Sequence, residues 1–318
     1  MATIRVEAVP VQSYSLGLFR FDHLQLVLQD ETDLIDSQDY WPVIEGNQDG
    51  PLTQATLGAS GQDGHTSLSV INGASRDALV NKIGTPEQRG SRIIVSGANA
   101  FSVWDSITKY AGEIDREKFP YIAYSLPFSA GPTINSTSLI ASVLWSVGID
   151  LNNLMPFNLR LSPGPETILG TSGADDITIG NNFTTLATGE SNDTLRGSSN
   201  QIYVEKFYGG AGNDTIKWSY GNNIIHGGQP RLNYAEDGRD TIDYSGVGTV
   251  HIEANSHPID HKVADYVSTF DGGSDQWFSI EQVLWDAASD ILTAGPNVEL
   301  LEKPIELDLK GNGGGRGD

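Results

Sequence analysis

The sequence predicts an α+β domain followed by an all-β domain wound as a parallel β-helix. Three observations lead there. Apolar residues in the second half recur every nine residues, a period that fits neither a helix nor a single strand. Clusters of glycine and aspartate recur in step with them. The first half lacks this repeat and carries stretches of strand-like alternation and of helical periodicity.

In the first half, LGLFRFDHLQLVLQD (16–30) alternates and reads as a long strand, with WPVIEGN (41–47) as a strand running back. SRIIVSG (91–97) reads as a third strand. Over 99–117, Phe101, Trp104, Ile107, Ala111 and Ile114 fall on one helical face. Over 135–150, Leu139, Ile140, Val143, Leu144 and Val147 do the same, and Gly148 supplies a C-terminal stop. LSPGPETILG (161–170) is a linker. The expected division is 1–165 for the α+β domain, 166–295 for the repeats, and 296–318 for an extended or disordered tail.

The repeats are GTSGADDIT (170–178), TGESNDTLR (188–196), GGAGNDTIK (209–217), AEDGRDTID (235–243) and a degraded WDAASDILT (285–293). Each places an aspartate two residues before an apolar residue: Asp175 before Ile177, Asp193 before Leu195, Asp214 before Ile216, Asp240 before Ile242, Asp290 before Leu292. Ile177, Leu186, Leu195 and Val204 step by nine, as do Ile216 and Ile225. Such a step suits a turn plus a short strand, with one apolar side chain per half-coil pointing inward. The pattern GGxGxDxUx is a calcium-binding signature of parallel β-helices.

The residue types explain the chemistry. Glycine permits positive φ and close approach of backbone carbonyls, and calcium takes six to eight hard oxygen ligands. The expected cofactor is therefore calcium, held by Asp175, Asp193, Asp214 and Asp240 and by the turn of Gly209, Gly210 and Gly212. Only GGAGNDTIK keeps every glycine. The spacings from Asp214 to Asp240 and from Asp240 to Asp290 are not multiples of nine, so the coil is expected to be short and irregular.

Composition narrows the function. The net charge of −22 argues against nucleic acid and anionic membrane surfaces as partners. The absence of cysteine excludes disulfides, thiolate metal sites and a cysteine nucleophile. No apolar run approaches the ~18 residues of a membrane span. MATIRVEAVP has no basic region followed by an apolar run, so any export signal is expected elsewhere than at the N-terminus.

The stretch 170–293 resembles the repeats-in-toxin (RTX) family of secreted bacterial proteins. The resemblance implies a β-roll, calcium-triggered folding, type I secretion machinery as a partner, and a secreted, extracellular location. The segment 15–150 resembles circularly permuted papain-like domains: a strand histidine (His23), then Glu45-Gly46, then NSTSL at a helix opening. It implies hydrolysis or transfer of acyl or amide bonds, with Ser136 as nucleophile, His23 as general base and Glu45, or an amide such as Gln25, orienting the histidine. A helix N-terminus would stabilise the oxyanion. The bland alternatives are a helix-capping serine, a core histidine, and a non-enzymatic surface or adhesive module stabilised by calcium.

Overall fold

The computed structural model describes residues 1–16, 19–30, 54–60, 68–73, 90–117, 119–122, 132–155, 164–199, 204–228, 238–254, 266–270, 273–285, 290–294 and 307–308. The chain forms two compact units. One comprises Met1–Pro127 and Thr133–Thr167, the other Phe128–Pro132 and Ile168–Asp318. The first is α+β, and in the second the regular elements among the described residues are all strands.

The first unit holds a five-stranded antiparallel sheet. Its strands are β1 (Ala2–Leu16), β2 (Phe19–Asp30), β3 (Gln54–Ser60), β4 (Ser69–Gly73) and β5 (Ser91–Ser96), in the order β4-β3-β2-β1-β5. β2 pairs with β1 from Ala2–Asp30 to Leu16–Phe19. The expected partner, 41–47, lies outside the described residues. β1 carries the same alternation as β2: Ile4, Val6 and Ala8 stand opposite Leu28, Leu26 and Leu24, and all six are buried. On the other face Glu7 stands opposite Gln25, whose Nε2 donates to Glu7 Oε2 at 3.2 Å.

Helix α1 (Ala100–Glu117) buries Trp104, Ile107, Ala111 and Ile114 of the stripe its sequence periodicity gives, while Phe101 at its start is half-buried. Helix α2 (Ser136–Trp145) is buried from Ser136 through Leu144. It ends in a Schellman motif. Ile149 N–H bonds to Leu144 C=O (2.9 Å) and Gly148 N–H to Trp145 C=O (2.9 Å), with Gly148 at φ 75°.

In the second unit, successive short strands alternate between two sheets. β6 (Thr167–Leu169), β8 (Thr185–Ala187), β10 (Lys206–Tyr208) and β12 (Gly221–His226) belong to one. β7 (Asp176–Thr178), β9 (Thr194–Arg196), β11 (Thr215–Lys217), β13 (Thr241–Asp243) and β17 (Gln282–Leu284) belong to the other. Pairing is parallel from β7 to β17, with Ile177, Leu195, Ile216, Ile242 and Val283 in one register row. Leu186, Phe207, Ile225 and Trp277 form the corresponding row of the first sheet. All nine are buried.

One expected inward residue is not inward. Val204 is 47% exposed, and Phe207 holds the register position between Leu186 and Ile225. Three inserted residues stretch the step from Leu195 to Phe207, after which the nine-residue period resumes at Ile216 and Ile225.

After β13 the chain makes an excursion through β14 (Thr249–Ala254), β15 (Tyr266–Phe270) and β16 (Gly273–Phe278). β15 is antiparallel to both neighbours, while β16 returns parallel to β12. The degraded repeat forms β18 (Ile291–Ala294), parallel to β14. Within the tail, β19 (Leu307–Asp308) is antiparallel to β17.

Candidate functional site

The repeat aspartates stand on one ladder along the second unit. The Asp175 N–H donates to Asp193 Oδ1 at 2.8 Å, that of Asp193 to Asp214 Oδ1 at 2.9 Å, and that of Asp214 to Asp240 Oδ1 at 2.9 Å. The next rung is a residue the repeat pattern did not single out: Asp240 N–H donates to Glu281 Oε2 at 2.7 Å. Glu281 precedes Val283 by two, as each aspartate precedes its apolar partner. That acidic-x-apolar spacing, rather than the glycines, is the signal that finds it.

Three of the turns are shaped around their carboxylates. A Cβ on Gly209 would collide with Asp214 Oδ2, and one on Gly227 with Asp240 Oδ2. At Gly170 it would come within 2.5 Å of Asp175 Oδ2. Backbone oxygens crowd the same turns. Gly210 and Gly212 have φ of 110° and 127°, and added Cβ atoms there would strike the carbonyls of Gly189 and Ser191 on the neighbouring coil. An asparagine ladder runs alongside, with Asn213 N–H donating to Asn192 Oδ1 (2.8 Å) and Arg239 N–H to Asn213 Oδ1 (2.7 Å).

Electrostatics disfavours this stack of carboxylates by itself. Burial pushes Asp193 up to about 6, against the opposing effect of the hydrogen bond from the Asp175 amide. Burial also raises Asp175, against bonds from Thr171. Among the described residues no three carboxylates or imidazoles converge on one point. A cation in these turns would therefore draw on single carboxylates and backbone carbonyls, an all-oxygen set that fits a hard ion such as calcium.

The raised values give a pH dependence with a definite sign. Between roughly pH 4 and 6 the folded chain holds protons on Asp193 that the unfolded chain has released. Stability from this group is present below about pH 4 and lost as pH rises through about 6. In chelator, the second unit is expected to melt at a higher temperature at pH 5 than at pH 7.5. Thermal scans at the two pH values check this, and Asp193→Asn should shrink the difference.

The candidate catalytic residues have a different standing. Ser136 opens α2 and is 2% exposed. Asn135 is the N-cap: its Oδ1 accepts from Thr137 N–H (2.8 Å) and Ser138 N–H (3.2 Å), and Ser138 Oγ accepts from Asn135 N–H (2.7 Å). This is a reciprocal capping box. It engages the amides that the catalytic reading assigned to an oxyanion. His23 lies in β2 opposite Val9. Its side chain and the whole of Glu45 lie outside the described residues. Gln25, the other residue suggested as orienting the histidine, bonds to Glu7.

Among the described residues no helix is long and apolar enough to cross a membrane. No protein-family model, curated protein or solved structure matches this chain.

Proposed function

We propose that the second unit is a calcium-dependent β-roll of the repeats-in-toxin type, in a secreted bacterial protein whose fold calcium stabilises. The observation that carries this reading is the ladder from Asp175 through Asp193, Asp214 and Asp240 to Glu281, one carboxylate per coil, with glycines beside it at positions a Cβ would block. Bound calcium would supply the positive charge that these buried carboxylates lack. Asp175, Asp193, Asp214 and Asp240 would hold it, together with carbonyls in turns such as Gly209–Gly212. Export by a type I machinery suits a cysteine-free chain of net charge −22, which would cross the envelope unfolded and fold where calcium is plentiful.

Equilibrium dialysis of the full chain tests this. More than one calcium should bind per chain, and Asp214→Ala should remove at least one. Magnesium should not replace calcium, because it demands near-octahedral geometry and keeps its waters. Absence of binding at millimolar calcium would overturn the reading.

The first unit is read as a non-enzymatic module attached to this roll. The support is the buried setting of Ser136 and the capping box that occupies the amides behind it. Asn135→Ala is expected to destabilise the unit by about 1 kcal/mol. Serine-hydrolase probes are expected to leave the protein unlabelled. Labelling that disappears in a folded Ser136→Ala variant would instead identify Ser136 as an activated nucleophile suited to acyl or amide transfer, and its loss in a folded His23→Ala variant would identify His23 as the base.

A further inference from the structure

The second unit carries another acidic group that shares no residue with the ladder. Glu205 and Asp275 are both 0% exposed, and among the described residues neither has a salt bridge. Glu205 Oε1 accepts from Ser198 N–H (2.7 Å) and Oε2 from Ser219 Oγ (2.8 Å). Asp275 Oδ2 accepts from Tyr244 OH (2.6 Å), which also contacts Ser268 Oγ (2.5 Å) and Trp277 Nε1 (3.1 Å). Two buried carboxylates without a cation are expensive. Burial, and then the charge of Glu205, push Asp275 up to about 7.

Asn223 lies between them. Its Nδ2 faces three acceptors, Asp275 Oδ1 (2.9 Å), Ser219 Oγ (3.2 Å) and Ser219 C=O (3.3 Å), with only two hydrogens to offer. Its Oδ1 is buried and receives no hydrogen bond, although the residue is 2% exposed. The three acceptors crowd the Nδ2 arm of the amide with no cation among them, while the Oδ1 arm, on the other side, finds no donor. Amide nitrogen and oxygen are interchangeable in shape. Turned over, the Asn223 amide sets Oδ1 beside Asp275 Oδ1 and both Ser219 oxygens. Oxygens around a calcium ion at 2.3–2.6 Å lie about 3 Å apart, and the turned-over Oδ1 would stand 2.9, 3.2 and 3.3 Å from those three oxygens.

We propose that Glu205, Ser219, Asn223 and Asp275 form an interior site for one divalent cation, with calcium the preferred ion. Two carboxylates match its charge. Asn223 and Asp275 are register partners in β12 and β16, so the ion would fasten the strand that returns from the excursion onto the coil before it. This inference does not rest on calcium binding at the ladder.

The test uses the full chain. Calcium stoichiometry is measured for wild type, Asp214→Asn, and the isosteric double variant Glu205→Gln/Asp275→Asn. Terbium replaces calcium in a parallel experiment. Trp277 and Tyr244 beside Asp275 should sensitise its emission on excitation near 280 nm. The double variant is expected to bind one calcium fewer than wild type and to lose most of the sensitised terbium emission, whereas Asp214→Asn retains that emission. Asn223→Asp, which adds a carboxylate, should tighten terbium binding about tenfold, and it serves as the readout if the double variant does not fold. Equal calcium counts in wild type and a folded double variant would overturn the proposal. So would an Asn223→Asp variant with unchanged or weaker terbium affinity. Failure at the ladder alone is recognised separately: terbium emission and one bound calcium persist while Asp214→Asn changes nothing.

Discussion

Gly209→Ala is expected to destabilise the second unit by about 3 kcal/mol, the upper end of the usual cost of overpacking. The added methyl would meet Asp214 Oδ2 on one side and the Gly227 carbonyl on the other. That carbonyl is fixed, because it accepts the Gly210 N–H at 2.8 Å, so the coil must open for the methyl to fit. Gly228→Ala is the control. A Cβ there meets nothing within 4 Å, and the change should stay within about 0.5 kcal/mol. Denaturant unfolding of both variants decides the matter. Equal stability would show that the turns are not packed as described.

Ile216→Ala is expected to cost about 2–5 kcal/mol, the range for truncating a fully buried aliphatic side chain. Ile216 is 0% exposed and sits at the centre of the row from Ile177 to Val283. Val204→Ala, by contrast, should change stability by less than about 0.5 kcal/mol, because Val204 projects into solvent. Counting by nine from Leu195 without a break makes the opposite prediction for Val204. Chemical denaturation of the two variants therefore separates the regular repeat from the interrupted one.

That interruption illustrates what the sequence could convey. The nine-residue step places Ile177, Leu186, Leu195, Ile216 and Ile225 in the core, because each half-coil contributes one inward side chain and the chain length per half-coil is fixed by a turn and a three-residue strand. An insertion defeats counting, since Val204 and Phe207 are both apolar and only the resumed spacing to Ile216 distinguishes them. The ladder was legible at Asp175, Asp193, Asp214 and Asp240. Glu281 was not, because its turn has no glycine framework and a different acid. Nor could spacing show the Glu205–Asp275 group, whose members lie seventy residues apart and meet only because β16 returns beside β12. In the first unit, both helices followed from their apolar stripes. The pairing of β2 with β1 did not, because alternation marks strands without saying which pair. The Asn-Ser-Thr-Ser opening of α2 satisfies the demands of a helix cap and of a nucleophile equally well in sequence. The hydrogen bonds of Asn135 are what favour the cap.

The central claim is that calcium orders the second unit and leaves the first alone. Amide hydrogen exchange on the full chain, resolved by peptide, measures this directly. With calcium, peptides covering β7 to β12 should be strongly protected; in chelator they should lose most of that protection, while peptides from α1 and α2 keep theirs. Protection of β7 to β12 that is the same with and without calcium would contradict the account.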